Sequence, residues 1–252
     1  LVGLASIADV APLIGVNRAF VRQGLRVMAQ RERPGIVALC DLARVDTAPT
    51  AYHLGFVLGP RINAGGRIGQ ADLGARLLAR ATPSEAQALA QRLDTLNSER
   101  REVENHVRDA AQAQAEARGL DAPLVWAAGD GWHPGVVGIV ASRLKEATNR
   151  PAIVIGFDGD EGKGSGRSVT GIDLGAQIQK LASEGHLSKG GGHKMAAGLS
   201  LTRAQLEPAM ARLSELMARQ RAGALGPKDP ALAGLLMPAA DTLALCRWPE
   251  HA

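Results

Sequence analysis

The chain has 252 residues, a formal net charge of +4 and a pI near 9.4. A hydrophobic fraction of 46% supports a real core, and aromatics at 3% leave that core to Ala, Leu, Val and Ile. No apolar run reaches the ~20 residues of a membrane-spanning helix, and two distant cysteines, Cys40 and Cys246, argue against a disulfide framework or a zinc site. A cytoplasmic protein without a membrane partner is expected. Six of the 29 basic residues are Lys and the rest Arg. Arg suits bidentate phosphate contacts, although GC-rich coding produces the same bias.

The sequence opens without Met inside the apolar run Leu1-Val2-Gly3-Leu4-Ala5, as expected of a segment that continues a longer polypeptide. Residues 1–81 read as helices and turns. Asn17 to Leu25 is amphipathic, Arg33-Pro34-Gly35 interrupts, and Ile36 to Ala43 resumes as a helix. The clearest helix spans about Pro83 to Arg118. Thr82 is a good N-cap, Glu85 completes a capping box, and Gly119 is a natural stop. Leu89, Leu93, Leu96, Val103, Val107 and Ala110 line one side of it. At 1.5 Å per residue it is roughly 50 Å long, which favours a rigid connector (82–120) between two lobes.

Residues 121–221 alternate strand and helix, the pattern of an α/β domain. Leu124–Ala128, Ala152–Phe157, Gly164–Val169 and Met195–Leu201 read as strands. Gly135–Lys145, Ile172–Ala182 and Thr202–Arg221 read as helices, and Asp158 to Gly162 as a hairpin turn. Residues 222–252 read as a linker plus the first strand of a further domain.

Two glycine-rich basic stretches stand out, Gly162-Lys163-Gly164-Ser165-Gly166-Arg167-Ser168 and Gly190-Gly191-Gly192-His193-Lys194-Met195-Ala196-Ala197-Gly198. Glycine lets backbone N–H groups approach an anion while Arg or Lys supplies charge. Ser165 and Arg167, two apart, fall on one face of a strand and form a grip for one phosphate. Three alternating glycines weaken a strand, which favours a functional over a packing role for them. Gly190 to Gly192 suit an anion-binding nest beside His193. A third glycine-and-arginine loop, Gly59 to Arg67, offers Arg61, Asn63 and Arg67, with a structural turn an equal reading. Asp9 after an apolar run suits a metal ligand or a helix-terminal cap. Trp132 suits stacking on a base or packing between strand and helix, and His133 suits a bond at the helix N-terminus. The Asp158-Gly159-Asp160 acids read as solvated turn residues.

Taken in order, ADVAPL, NRAFVRQGL, GPRINAGGR, WHPGVVGIVASRLKE, GSGRS and GGGHKMAAG resemble the bacterial RecJ family of single-strand-specific exonucleases, members of the DHH phosphoesterase superfamily. The resemblance covers about residues 1–221. It implies that 1–81 are the end of a DHH catalytic domain, that 121–221 are a DHHA1 substrate-binding domain with a mixed sheet, and that 222–252 lead into an OB-fold. It further implies 5′-to-3′ hydrolysis of single-stranded DNA in repair and recombination, with Mn²⁺ or Mg²⁺ in a two-metal site. Single-strand-binding protein and a helicase are the implied protein partners. By matching motif, Asp9 is carried over as catalytic metal ligand. Arg61, Asn63, Arg67, Ser165, Arg167, Ser168, Gly191, Gly192 and His193 are carried over as substrate-binding residues.

The departure from the family pattern is large. None of the six His follows an Asp, so the Asp-His-His triplet is absent, and so are the earlier acidic motifs. The chain alone is therefore expected to be inactive. A nano-RNase or cyclic-dinucleotide phosphodiesterase of the same superfamily is one alternative, and a non-catalytic nucleic-acid-binding module is the other.

Overall fold

A computed structural model describes residues 1–80 and 82–223. Of residues 222–252, read as a linker and OB-fold start, 222 and 223 end a helix instead, and the rest, Cys246 included, lie outside the described residues. The first lobe is helical: α1 (Val2–Ala8), α2 (Gly15–Ala29), α3 (Pro34–Leu42), α4 (Gly59–Ile68) and α5 (Leu73–Arg80). A π-helical turn at His53–Leu58 runs straight into α4.

Then comes α6 (Pro83–Arg118). Its start is fixed as the sequence predicts. The Thr82 side chain accepts from the Glu85 N–H, and Glu85 Oε2 accepts from the Thr82 N–H at 2.9 Å. That hydrogen bonding to Thr82 holds the Glu85 carboxyl below its usual range. Gly119, at φ +94°, ends the helix.

The second lobe contains β1 (Val125–Asp130), α7 (Pro134–Thr148), β2 (Ala152–Asp158), β3 (Glu161–Arg167), α8 (Leu174–Ser183), β4 (Lys189–His193), β5 (Ala196–Thr202) and α9 (Arg203–Gly223). The sheet order is β1-β2-β3-β5-β4, with β1 and β2 parallel and the other pairs antiparallel. It is the mixed sheet expected. Two segments differ from expectation. Gly59 to Arg67 is helix rather than loop, because its one proline occupies the first turn, where no N–H is needed. Gly190 to His193 is strand rather than nest, paired residue for residue with β5.

Among the described residues three hydrophobic cores form, and α6 enters two of them. Its first half puts Ala86, Ala90, Leu93 and Leu96 into the helical lobe, against Leu39, Leu54, Leu58 and Leu77. Its second half puts Val107, Ala111 and Ala115 against α7 and the adjoining face of β1 and β2. The third core fills the opposite face of the sheet under α8 and α9. Between its two apolar halves α6 turns a polar waist inward. Asn97 and Glu104 are buried, and Arg100 donates to both, at 3.0 Å and 2.6 Å.

The lobes also touch directly. Arg67 Nη1 donates to the Gly135 carbonyl at 3.1 Å, and a Cβ on Gly135 would lie 2.1 Å from the Arg67 carbonyl oxygen. Gly135→Ala must force the lobes apart locally and is expected to destabilise the chain by about 1–3 kcal/mol. Gly66→Ala, in α4 with nothing near its Cβ position, is expected to stabilise by roughly 0.5–1 kcal/mol. Chemical denaturation of both variants beside the parent chain checks the pair; equal effects would mean that the lobes meet only loosely.

Candidate nucleic-acid interface

Strand β3 shows how its glycines and polar residues divide. Gly162, Gly164 and Gly166 face the core under α8. A Cβ there would lie 2.7 Å from the Phe157 ring, 2.8 Å from Ile155 and 2.8 Å from Leu174 respectively. The alternating glycines thus have a packing role, contrary to expectation: large neighbouring side chains lie across them. Lys163, Ser165 and Arg167 therefore project from the other face, as alternation requires.

Helix α7 covers only part of that face. A Cβ on Gly138 would meet Ser165 Oγ and Arg167 Nη2, both at 3.1 Å. Beyond this point the sheet lies open. The register aligns Ser165 with Gly198 and Gly191, Arg167 with Ala196 and His193, and Lys163 with Ser200 and Lys189. A side chain at Gly198 or Gly191 would meet nothing within 4 Å. Together they make a bare floor beside Ser165 and Arg167.

The triple glycine also divides by role. Gly190 packs on Ile178 of α8, and Gly192 sits where a Cβ would be 2.4 Å from the Ala196 carbonyl oxygen. Only Gly191 faces open space. The hairpin that follows is pinned from both sides. The Ser168 N–H donates to the Met195 carbonyl and the Leu174 N–H to the Lys194 carbonyl. Ser168 itself is a correction to the predicted site. It is buried, and its hydroxyl donates to the Ile172 carbonyl at 2.9 Å, so it holds this loop instead of facing the floor. His193 is exposed at the end of β4, beside the turn.

Arg167 is the electrostatic centre of the surface. Its Nη1 donates to Ser165 Oγ and to the Gly166 carbonyl, each at 2.8 Å. It is half-buried, and burial first and the Arg67 cation second hold its pKa below the usual arginine value. Among the described residues no carboxylate lies within ion-pair distance of Arg167 or Arg67. An uncompensated pair of guanidinium groups, one desolvated, suits a ligand of high negative charge.

The other predicted residues fall at some distance from this pair in role. Arg61 is committed within the helical lobe, donating to Asp94 at 2.8 Å and to the Val57 carbonyl at 2.8 Å. Asn63 is exposed on α4 and makes no hydrogen bond of its side chain among the described residues. Asp9 is the exposed C-terminal cap of α1. The preceding Ala8 packs on Gly59 at the start of α4. Among the described residues, no three His, Cys, Asp or Glu side chains lie together in a way that could hold a metal ion.

Trp132 is buried over Gly129, where a Cβ would lie 2.2 Å from its ring, so packing, not base stacking, is its role. His133 is the N-cap of α7, its Nδ1 accepting from the Gly135 N–H at 3.0 Å. Sequence reasoning missed Gly138 altogether, and it gave Gly198 no role of its own within its glycine-rich stretch; pairing register and helix placement bring both to Ser165 and Arg167.

The DHHA1 domain family matches residues 121–219. The single-stranded-DNA-specific exonuclease RecJ of Dickeya dadantii is 42% identical over 226 residues, covering 86% of this chain and 39% of that protein. RecJ of Bacillus subtilis is 39% identical over 219 residues, covering 86% of this chain and 28% of that protein. The crystal structure of RecJ from Thermus thermophilus in complex with Mn²⁺ superposes with a TM-score of 0.81 at 32% identity, covering 98% of this chain and 36% of that one. The same protein is known in complex with Mg²⁺. The chain thus spans about two fifths or less of the length of these relatives. With both lobes and the connecting helix matched in sequence and in structure, the chain belongs to the RecJ family, and residues 121–219 are its DHHA1 domain.

Proposed function

We propose that this chain grips the 5′ end of single-stranded DNA for a metal-dependent 5′-to-3′ exonuclease, with the terminal phosphate on Arg167, Ser165 and Arg67 and the first nucleotide on the Gly191–Gly198 floor. One observation carries the reading: a half-buried arginine, bonded to a serine hydroxyl and close to a second arginine, has no acid to neutralise it among the described residues. A terminal phosphate carries about −1.5 to −2 charges at neutral pH, whereas an internal phosphodiester carries one. Two cations and a hydroxyl favour the terminal group. The floor supports the reading independently, because its two glycines are not required by packing. His193 and Lys189, at the rim, suit the next part of the backbone. Like its relatives, the complete protein would act on single-stranded DNA. In this reading it would do so in repair and recombination, with single-strand-binding protein and a helicase as partners.

The metal that such hydrolysis uses, Mn²⁺ or Mg²⁺, does not fit the donors present. Asp9 is one carboxylate, and a two-ion centre needs several. In this reading Asp9 contributes a single ligand, and the chain supplies binding and orientation. Placing a strand end against a hydrolytic centre removes translational freedom and is a large part of such catalysis.

Three outcomes are expected. Arg167→Ala should weaken binding of a 5′-phosphorylated oligothymidylate roughly ten- to hundredfold, as for loss of a charged hydrogen bond, while barely affecting the 5′-hydroxyl strand. Fluorescence anisotropy reads this, and equal loss on both strands would make Arg167 a general backbone contact. Gly198→Val should keep unfolding free energy within about 1 kcal/mol of the parent and yet weaken strand binding; Gly164→Ala should do the reverse, costing about 1–3 kcal/mol. Finally, the purified chain should bind but not degrade end-labelled DNA in Mn²⁺. Degradation that persists through further purification and is abolished by Asp9→Ala would show that a complete metal centre forms here after all.

A further inference from the structure

The turn that leads from β1 into α7 has a backbone clamped by β2. The Gly131 N–H donates to the Phe157 carbonyl at 2.9 Å, and a Cβ on Gly156 would lie 1.9 Å from the Trp132 carbonyl oxygen. Trp132 is buried, whereas His133, the next residue, is exposed.

His133 alone satisfies the first turn of α7. A helix begins with N–H groups that have no partner inside it, and Pro134 has none to satisfy. The Gly135 N–H donates to His133 Nδ1 at 3.0 Å, and the Val136 and Val137 N–H groups donate to the His133 carbonyl at 2.9 and 3.3 Å. The turn contains no acidic residue to take over.

Gly135 is also where the lobes touch. His133 holds its N–H while its carbonyl receives Arg67 Nη1 from α4 at 3.1 Å. A few residues on, Gly138 abuts Ser165 and Arg167. The cap, the lobe contact and the wall of the phosphate grip thus share one stretch of helix. Loosening its first turn draws the Gly135 carbonyl off Arg67 and removes support beside Arg167.

The bond from Gly135 sets a condition on the imidazole. Nδ1 accepts only without a proton, so the ring must be neutral with its hydrogen on Nε2. A protonated ring turns a donor toward a donor. It also puts a positive charge at a helix N-terminus, where the dipole disfavours one. The elements packed against α7 bring Arg67 from α4, Arg100 and Glu104 from α6, Lys163 and Arg167 from β3, and Asp130 and Asp158 from the ends of β1 and β2. Glu104 is taken by Arg100 and Asp130 by Arg203. Among the described residues no carboxylate lies within ion-pair distance of His133. The cap is therefore present while the ring is neutral and lost as pH falls.

We propose that His133 is a positioning residue for the end-binding surface, a neutral cap whose protonation loosens the seam between α4 and α7 and with it the grip on a 5′ phosphate. This rests on the reading that Arg67, Ser165 and Arg167 hold that phosphate.

The test compares the parent chain with His133→Asn, which keeps a capping oxygen that does not titrate, and with His133→Ala, which keeps none. Two readouts are taken between about pH 8 and pH 5, the interval in which imidazoles change charge. One is amide hydrogen exchange of the first turn of α7 without ligand, and the other is binding of 5′-phosphorylated and 5′-hydroxyl oligothymidylates. Each variant is set against the parent at the same pH, so the titration of the terminal phosphate, near about pH 6, cancels. At the alkaline end His133→Asn should match the parent. His133→Ala should exchange faster in this turn and bind the phosphorylated strand about fivefold more weakly, as for loss of one N-cap. On acidification the parent should converge on His133→Ala, while His133→Asn keeps its advantage. A histidine that merely fills space would give neither the rescue nor the convergence. If His133→Ala keeps the parent's exchange and affinity at about pH 8, or if His133→Asn declines with acid as the parent does, the proposal is overturned. A parent with no preference for a 5′ phosphate at any pH would instead refute the end-binding reading, and the exchange data alone would then decide whether His133 is a titrating cap of the seam.

Discussion

Two of the three hydrophobic cores close on a single helix. The first half of α6 completes the helical lobe, and its second half completes the layer between α7 and the sheet. Neither lobe can shed α6 without exposing buried apolar side chains, so the lobes are coupled through shared packing as well as covalently. The alanines matter here as much as the leucines. Ala86, Ala90, Ala111 and Ala115 are almost fully buried, and their small side chains let neighbouring elements approach the helix closely. The polar waist between the two apolar halves is where the lobes part and a cleft opens.

That arrangement explains why cations gather where they do. Carboxylates partner arginines elsewhere on the molecule, as Glu184 does Arg212 and Asp130 does Arg203. In the region where the lobes meet, Arg67, Arg101 and Arg167 have no such partner among the described residues. Neighbouring like charges destabilise the folded chain in the absence of a ligand. A bound polyanion reverses that effect, so binding and folding stability are linked through the same few side chains.

Much of this was legible from the sequence, for identifiable reasons. The bounds of α6 followed from local chemistry: Thr82 and Glu85 form a capping box, and Gly119 supplies a positive φ. Strands β1, β2 and β5 followed from apolar or small-residue runs between turn residues, and β3 followed as the hairpin partner of β2, whereas β4 carried no strand signal. The glycines were harder. In Gly162, Gly164 and Gly166 a strand neighbour across the sheet decides the role, and sequence order does not reveal which neighbour. Gly190 to Gly192 looked uniform, yet one packs on Ile178, one faces open space and one lies against the Ala196 carbonyl. Gly59 to Arg67 read as loop because of its glycines, but tertiary packing on α6 overrides their weak helix propensity. Trp132 is a case in which the packing reading prevailed, since Gly129 makes room for its ring.

The spacing along α6 also imposes a phase. Leu96 closes one core and Val107 opens the other, and the residues between them determine how the two surfaces face each other. Each residue added or removed there would turn one lobe against the other by about 100° and shift it by about 1.5 Å. Substitutions in this stretch change chemistry, but insertions and deletions change geometry, swinging Arg101 away from Arg143 and Arg67 away from Gly135. The exposed positions of the waist can thus vary in composition, but its length cannot. In this family, a relative with a residue inserted or deleted between those two positions would be a molecule whose lobes meet differently.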